Sequence, residues 1–547
     1  MKNKTKTTPY VFILLLIAGL SFSCSDLFEV DSKAYLSIED NRLDTPNDSV
    51  YSLFGLLAGM QEIGPQCVLL GELQADLTDL TPYANQYLKQ LNEHKASVDN
   101  PYLSTTAFYR LINDCNYMIQ HMDTLTGDKA LLQDYAAAVA IRAWTYLQLS
   151  KIYGDVPYFD HCILDINEAL QADFTRISRT ELFPLLIDQL LQTGHIQRPY
   201  RKMNGIPVSK MIPGNAFLLG ECYLWLNDYE NAALWYKRAI EKDNYAYVCD
   251  DKLFITYEDE GTITLAWPQI FDRDSEFART YENNASIFYD RLYGRSNSLR
   301  ELYFSQDGQS MLKPGSAVID DWIAQAIGTT NQELRKLGDR RGYGRAWVLD
   351  HNAPSNTLWP VINKFASDSV EQNIIIERAA IYHLRYAEAI NRTGRPGLAL
   401  LMINRGPRPV YLNDTTLVKR SELAGKPEIV NFDHSRYASC MGIRGRVDLE
   451  PYVFDNNLPG LEDSILFVED KILQEAALEL AFEGHRWFDL VRVAGRRDDP
   501  ASFLAERVCR KFEAGTDPHL PFEASADKAT VKAAIESAEN FYLPMPE

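Results

Sequence analysis

The 547-residue sequence has no uninterrupted apolar run as long as a bilayer-spanning helix. Its longest run, residues 11–20, is about half the ~20 residues a membrane span needs. Positive charge is also short: 55 Lys and Arg against 75 Asp and Glu give a net charge of −20. That balance argues against nucleic acid as a partner and against charge-driven binding to an anionic lipid face. Cysteine is sparse, with eight in all and no C-x-x-C pair, so zinc-ribbon and thioredoxin-type chemistry find no support. After Cys24 an odd seven remain at wide spacing, which implies no disulfide framework while leaving room for one incidental bridge. Cys115 and Cys222 fall in helical apolar patterns and read as buried small hydrophobes. Only nine histidines are present. There is no G-x-S-x-G, no H-E-x-x-H and no phosphate-cradling glycine loop, so no catalytic constellation stands out. Asp-rich stretches such as Asp250-Asp251 and Asp272 to Asp274 could hold Ca²⁺, but none keeps the EF-hand ligand order, and no cofactor is expected. Nor is there a Gly/Ser-rich linker or low-complexity tract, so one large body is expected instead of several domains.

What is present begins with a targeting segment at residues 1–23. Lys2, Lys4 and Lys6 precede the apolar run, and Ser23 and Cys24 follow it. A signal peptide explains this better than a membrane helix. Cys24 stands where a bacterial lipoprotein carries its acylated cysteine, and several acyl chains would anchor the mature chain 24–547 without a spanning helix. Removing residues 1–23 takes the net charge from −20 to −23, because the segment carries three Lys and no acid.

The body reads as mostly helical. Residues 131–152 are Ala-rich with an apolar stripe through Ala140, Ala143, Trp144 and Leu147, ended by Gly154 and Pro157. In residues 213–244, Leu219, Gly220, Tyr223, Ala232, Tyr236 and Ala239 fall on the offsets of a tetratricopeptide-type hairpin of ~34 residues. Small Gly220 and Ala232 would let the helices approach while Tyr223 and Tyr236 fill the space between pairs. Ala387 and Ala399 repeat the spacing of Gly220 and Ala232 in residues 377–405. Hairpins are expected near 105–153, 176–193, 213–244 and 377–405. Between and after them, residues 246–375 and 406–466 form long, loop-rich, partly β-like insertions, of a kind more often functional than not.

The C-terminal stretch Ala476-Ala477-Leu478-Glu479-Leu480-Ala481-Phe482-Glu483-Gly484-His485-Arg486-Trp487-Phe488-Asp489-Leu490 predicts a helix over 469–493. Glu475, Glu479 and Glu483 would share one face at i, i+4 and i+8. Like charges so placed repel by a few tenths of a kcal/mol per pair, so they call for cations, with Arg486, Arg142 and Arg385 as candidates. A carboxylate pair for glycoside hydrolysis and a His485–Asp489 metal site are the functional alternatives; structural roles weigh more for both.

Five segments in order resemble the SusD/RagB family of outer-membrane nutrient-binding lipoproteins. They are Cys24-Ser25-Asp26-Leu27-Phe28; Ile141-Arg142-Ala143-Trp144 running to Tyr153-Gly154-Asp155-Val156-Pro157; Leu384-Arg385-Tyr386-Ala387-Glu388-Ala389 with Asn404-Arg405; the 474–490 signature; and the closing Leu543-Pro544-Met545-Pro546-Glu547. The third departs from the family's usual opening, reading Glu377-Arg378-Ala379-Ala380. The resemblance implies a SusD-like fold with about four tetratricopeptide-like hairpins as scaffold and a loop-rich ligand face. It implies a non-catalytic, lipid-anchored protein on the outer membrane, facing the cell exterior, that captures oligosaccharide for a SusC-like TonB-dependent transporter. Oligopeptide capture, as in a RagB-like protein, is the alternative; a glycan-degrading enzyme or a pure interaction scaffold ranks lower.

A sugar presents apolar C–H faces and many hydroxyls, so its site needs flat side chains on loops with polar groups at their edges. By position the candidates are Tyr83, Asn85 and Tyr87, then Tyr289, Tyr293, Trp347 and Trp359, with Arg291, Asn297 and Asp350 nearby. Trp267, in a β-like run, reads as core, as do the Tyr and Trp residues of the repeats.

Overall fold

The computed structural model describes residues 43–547 except 44, 204, 242–254, 258–262, 266, 272–281, 290–295, 304–308, 329–331, 353–356, 365–372, 415, 456 and 547. Cys24 and Tyr293 lie outside the described residues, as does Arg291. Ten helices build the scaffold: α1 Pro46–Glu72, α2 Thr106–His121, α3 Lys129–Tyr153, α4 Arg179–Thr193, α5 Asn215–Trp225, α6 Tyr229–Ile240, α7 Ala379–Arg392, α8 Pro396–Arg405, α9 Leu461–Leu480 and α10 Arg486–Ala494. Neighbours in this order pack on one another in a continuous series: α2 on α3, α3 on α4, α4 on α5, α5 on α6, α6 on α7, α7 on α8, with α9 against both α7 and α8. α1 is long and apolar enough to cross a membrane, yet it packs against α2 and α3 and its inner face is core.

The hairpin logic holds in detail at α5 and α6. A Cβ on Gly220 would lie 2.9 Å from the Tyr236 ring, so glycine is what permits that helix spacing. Tyr236 is fully buried, and its hydroxyl donates to Glu221 Oε1 at 2.7 Å. Tyr223 and Trp235 are only half-buried, contrary to the core reading, because they lie on the outer side of the pair. The 176–193 stretch supplies the single helix α4, started by a reciprocal Ser178–Glu181 capping box, and its partners are α3 and α5. Cys115 and Cys222 are buried, and the described cysteines are free thiols.

The C-terminal signature is two helices, not one. α9 stops at Leu480, Phe482 takes φ 70° and Gly484 φ 87°, and α10 starts at Arg486. A Cβ on Gly484 would sit 2.8 Å from the Cα of Val68, so α1 is pressed against this turn. Glu483 therefore lies in the turn and does not share a helix face with Glu475 and Glu479.

Among the described residues, six strands surround the site, apart from the separate Ile255–Tyr257 and Ile263–Leu265 pair: β1 Thr78–Leu80, β2 Asn283–Ile287, β3 Leu312–Pro314, β4 Trp347–Asn352, β5 Thr357–Ile362 and β6 Ile374–Arg378. All pairings are antiparallel: β1 with β3, β4 with β5, and β6 with β2 across a bulge. β5 also runs beside β3, which puts β1 and the β4–β5 hairpin on either side of β3. Residues 406–466 contain short helical turns such as Arg408–Tyr411 and Arg420–Leu423 where β-like runs were expected.

Candidate functional site

The charged residues of the signature are buried and mutually satisfied. Glu479 Oε1 accepts from Arg378 Nη1 at 2.6 Å, Arg446 Nη2 at 2.5 Å and Trp267 Nε1 at 3.1 Å; its Oε2 accepts from Arg341 Nη1 at 2.7 Å. Burial alone would raise this carboxyl, but Arg446, Arg378 and Arg341 hold it well below the usual carboxylate range. Glu483 is likewise desolvated yet brought down to about 2 by Arg378 and Lys364. Arg341 also reaches Asp339 at 2.6 Å and Glu475 at 2.9 Å. A second cluster joins Arg385 to Asp489 at 2.6 Å and Arg492 to Glu388 at 2.6 Å. Arg486 makes a two-pronged bond to Asp76, both contacts 2.7 Å. The glutamates thus find cations, but different ones from those expected. Arg385 and Arg486 serve other acids, and Arg142 bonds Asn116 and Gln189. Trp267 is core, 1 % exposed. Burial pushes the His485 imidazole down to about 4, which keeps it neutral near pH 7.

The aromatic candidates divide by strand register. In the β4–β5 hairpin Trp347 lies opposite Ile362, and Asp350 opposite Trp359. Successive side chains alternate faces, so Trp347 and Trp359 point to opposite sides. Trp347 faces inward with Ile362 and is 3 % exposed; Trp359 is half-buried beside an exposed Asp350. Trp347 is therefore core, not a stacking platform. Tyr289 is also corrected: it is fully buried, and its hydroxyl donates to the Gln61 carbonyl at 2.9 Å. Asn297 is buried and caps a short helix through Leu299 N at 3.0 Å.

Trp359 is held from one side. Lys313 Nζ lies 5.2 Å from its ring centroid and 3.5 Å from Asp79 Oδ2, and it donates to the Glu523 carbonyl at 3.1 Å. Lys313 sits directly across from Asp79 in the β1–β3 ladder. Past the end of that ladder, Thr81 N donates to the Met311 carbonyl at 3.0 Å, and Tyr83 N donates to Thr81 Oγ1 at 3.2 Å. Tyr83 and Tyr87 are half-buried. Asn85 is a helix cap: its Oδ1 accepts from Tyr87 N and Leu88 N, each at 3.0 Å, and its Nδ2 donates to the Tyr102 hydroxyl at 3.0 Å. Its polar atoms are thus spent on positioning the two tyrosines' segment. The fold gathers Lys313, Asp79 and Asp350 around Trp359, while Tyr83 and Tyr87 lie on the segment that follows β1.

Sequence reasoning missed Lys313, Tyr343 and Phe522. Tyr343 is 54 % exposed and packs edge-on against Trp347 at 5.0 Å, so it carries outward what Trp347 does not. Phe522 is 38 % exposed in the segment that receives Lys313. Leu312-Lys313-Pro314 carries a short alternation that marks a strand with one charged position, but nothing local says that a tryptophan packs on that charge.

With this geometry in place, residues 291–547 match the SusD family. The matching stretch is 257 residues, just under half of the chain, and it carries the likeness to the family. Two SusD-like proteins of Formosa agariphila, P2 and P38, are 22 % and 21 % identical over about nine-tenths of both chains. A SusD superfamily protein of Bacteroides vulgatus superposes with a TM-score of 0.62 at 14 % identity, covering 92 % of this chain and 96 % of its own. A SusD-like carbohydrate binding protein of Bacteroides fragilis gives 0.55 at 14 % identity, covering 82 % and 86 %. The helical-hairpin scaffold is thus the SusD fold, and the ion-paired turn between α9 and α10 lies in the part of the chain that matches the SusD family.

Proposed function

We propose that this SusD-like protein is a lipid-anchored, non-catalytic glycan receptor of the outer-membrane surface. In this reading it captures oligosaccharide and passes it to a SusC-like TonB-dependent transporter. The observation that carries the proposal is Trp359: one side rests on Lys313, and Asp350 stands beside it across the strand pair. Such a ring can stack on a sugar's C–H face while the exposed Asp350 bonds its hydroxyls and Lys313 holds the ring from the other side. Tyr83 and Tyr87 extend the platform. The name of the B. fragilis relative, a carbohydrate binding protein, supports the ligand class. The carboxylates of the signature are locked in ion pairs, so they offer no free acid or base for hydrolysis.

Calorimetry on the mature protein with maltoheptaose, xylohexaose, mannohexaose and a mixed decapeptide pool tests the ligand class. At least one glycan should bind, and Trp359→Ala should weaken it by about tenfold, roughly 1.4 kcal/mol. Binding of the peptides alone would move the protein to peptide capture. Cys24→Ala should shift the protein from the membrane fraction to the soluble one; retention would remove the anchor from the proposal.

A further inference from the structure

A cleft of about 780 Å³ opens between α8 and the 451–461 segment, and none of Asp79, Lys313, Asp350 and Trp359 lines it. That volume lies in the range that holds small ligands. Its floor is Leu400, Leu401 and Val418, all buried. One wall is Tyr452 and Phe454, and both are braced from behind. Asn404 clamps the Tyr452 backbone through two 2.9 Å hydrogen bonds, Arg444 stacks on its ring at 3.7 Å, and Phe467 packs edge-on against Phe454. The wall is therefore formed before any ligand arrives.

The rim differs in charge from the rest of the protein. Residues 404–420 carry four cations, Arg405, Arg408, Lys419 and Arg420, against one acid, Asp414, in a chain of net charge −20. Arg405 and Lys419 line the cleft and are exposed. Most arginines of this protein lie against carboxylates, but Arg405 has no ion pair or hydrogen-bond partner for its guanidinium among the described residues. Glu422, the one acid lining the cleft, is turned away to cap α8, accepting from Leu398 N at 2.7 Å. Its burial raises its carboxyl above the usual range, against the opposing pull of the Leu398 N–H and of Lys419.

We propose that this cleft is a second saccharide site, separate from the Trp359 platform, that takes an anionic sugar segment, carboxylated or sulfated. Arg405 and Lys419 meet the anionic group, and the Tyr452–Phe454 wall meets the ring faces. The inference rests on the glycan-binding reading but assigns different residues and a different ligand chemistry. Tetragalacturonate and a sulfated carrageenan tetramer, titrated calorimetrically into the mature protein, separate the two anion types. At least one should bind with an affinity that falls as salt rises. The Arg405→Gln, Lys419→Gln double variant should weaken it by about tenfold or more at unchanged melting temperature, and Trp359→Ala should leave it unaltered. Failure of both anionic probes to bind would overturn the site while leaving neutral-glycan binding untouched. So would binding that the double variant does not change, or that Trp359→Ala abolishes. Should the double variant lower the melting temperature, Phe454→Ala replaces it as the probe of the wall, and the same tenfold loss is expected.

Discussion

The turn between α9 and α10 and the face around Trp359 are both rich in charge and aromatic rings, yet they are built on opposite terms. At the turn, Glu479 is fully buried and surrounded by Arg341, Arg378 and Arg446. At the face, Lys313 holds a tryptophan whose strand neighbour, Asp350, stays in water. Removing a charge from the first leaves its partners buried and uncompensated; removing a ring from the second exposes little. The conspicuous chemistry of the signature thus belongs to the scaffold, and the open surface is made by less conspicuous residues.

The sharpest way to break this contrast is Glu479→Ala. Three arginines would be left facing one another in the interior, and breaking even one buried pair costs about 3–5 kcal/mol. We expect a loss of about 5 kcal/mol or more, read as lost soluble yield or a large fall in the denaturant midpoint. A variant with the wild-type midpoint would mean that the network is not structural. Next in size is Trp347→Ala, which empties a core position and should cost about 3 kcal/mol by chemical denaturation. Trp359→Ala, one strand away, should cost under about 1 kcal/mol. If the two cost the same, the assignment of faces by register is wrong.

The hairpins and the need of the signature glutamates for cations were legible because each rests on local spacing: Gly220 and Ala232 twelve apart, or three glutamates four apart. The identity of those cations was not. Arg341, Arg378 and Arg446 come from loops and strand ends brought in by tertiary folding, with no local mark. The break after Leu480 was hidden because Ala, Leu and Glu are good helix formers, while the packing of Val68 against Gly484 decides the turn. Trp347 and Trp359 could not be told apart by composition. Only the pairing of Trp347 with Ile362 and of Asp350 with Trp359 assigns them to faces.

A pH experiment sharpens the scaffold side. Glu72 ends α1 against the same turn, accepting from Gly484 N at 2.8 Å and His485 N at 3.2 Å. Burial raises its carboxyl to about 8 even though those two N–H groups lower it. A carboxyl raised on folding binds more protons folded than unfolded. Its contribution is therefore fully present below about 4.5 and is lost as pH rises toward 8. Glu483 has the opposite sign: held at about 2, its contribution is present above about 4.5 and lost as pH falls toward 2. Glu72→Gln should therefore flatten the fall in stability between pH 5 and 8, by at most about 1.4 kcal/mol per pH unit. An unchanged slope would mean that Glu72 stays ionised in the folded protein.

The smallest expected effect lies on the open side. Lys313 does not face the ligand directly; its ammonium lies between Asp79 and the Trp359 ring and fixes how the ring is presented. Lys313→Met keeps the stem's packing and removes the charge. An attraction between a cation and a partly exposed ring is worth about 0.5–1 kcal/mol, so glycan binding should weaken about threefold, less than for Trp359→Ala. In the Trp359→Ala background the same change should do nothing further, because the ring that Lys313 orients is gone. If the two losses simply add, Lys313 touches the sugar itself, and the platform is wider than the tryptophan and its strand neighbour.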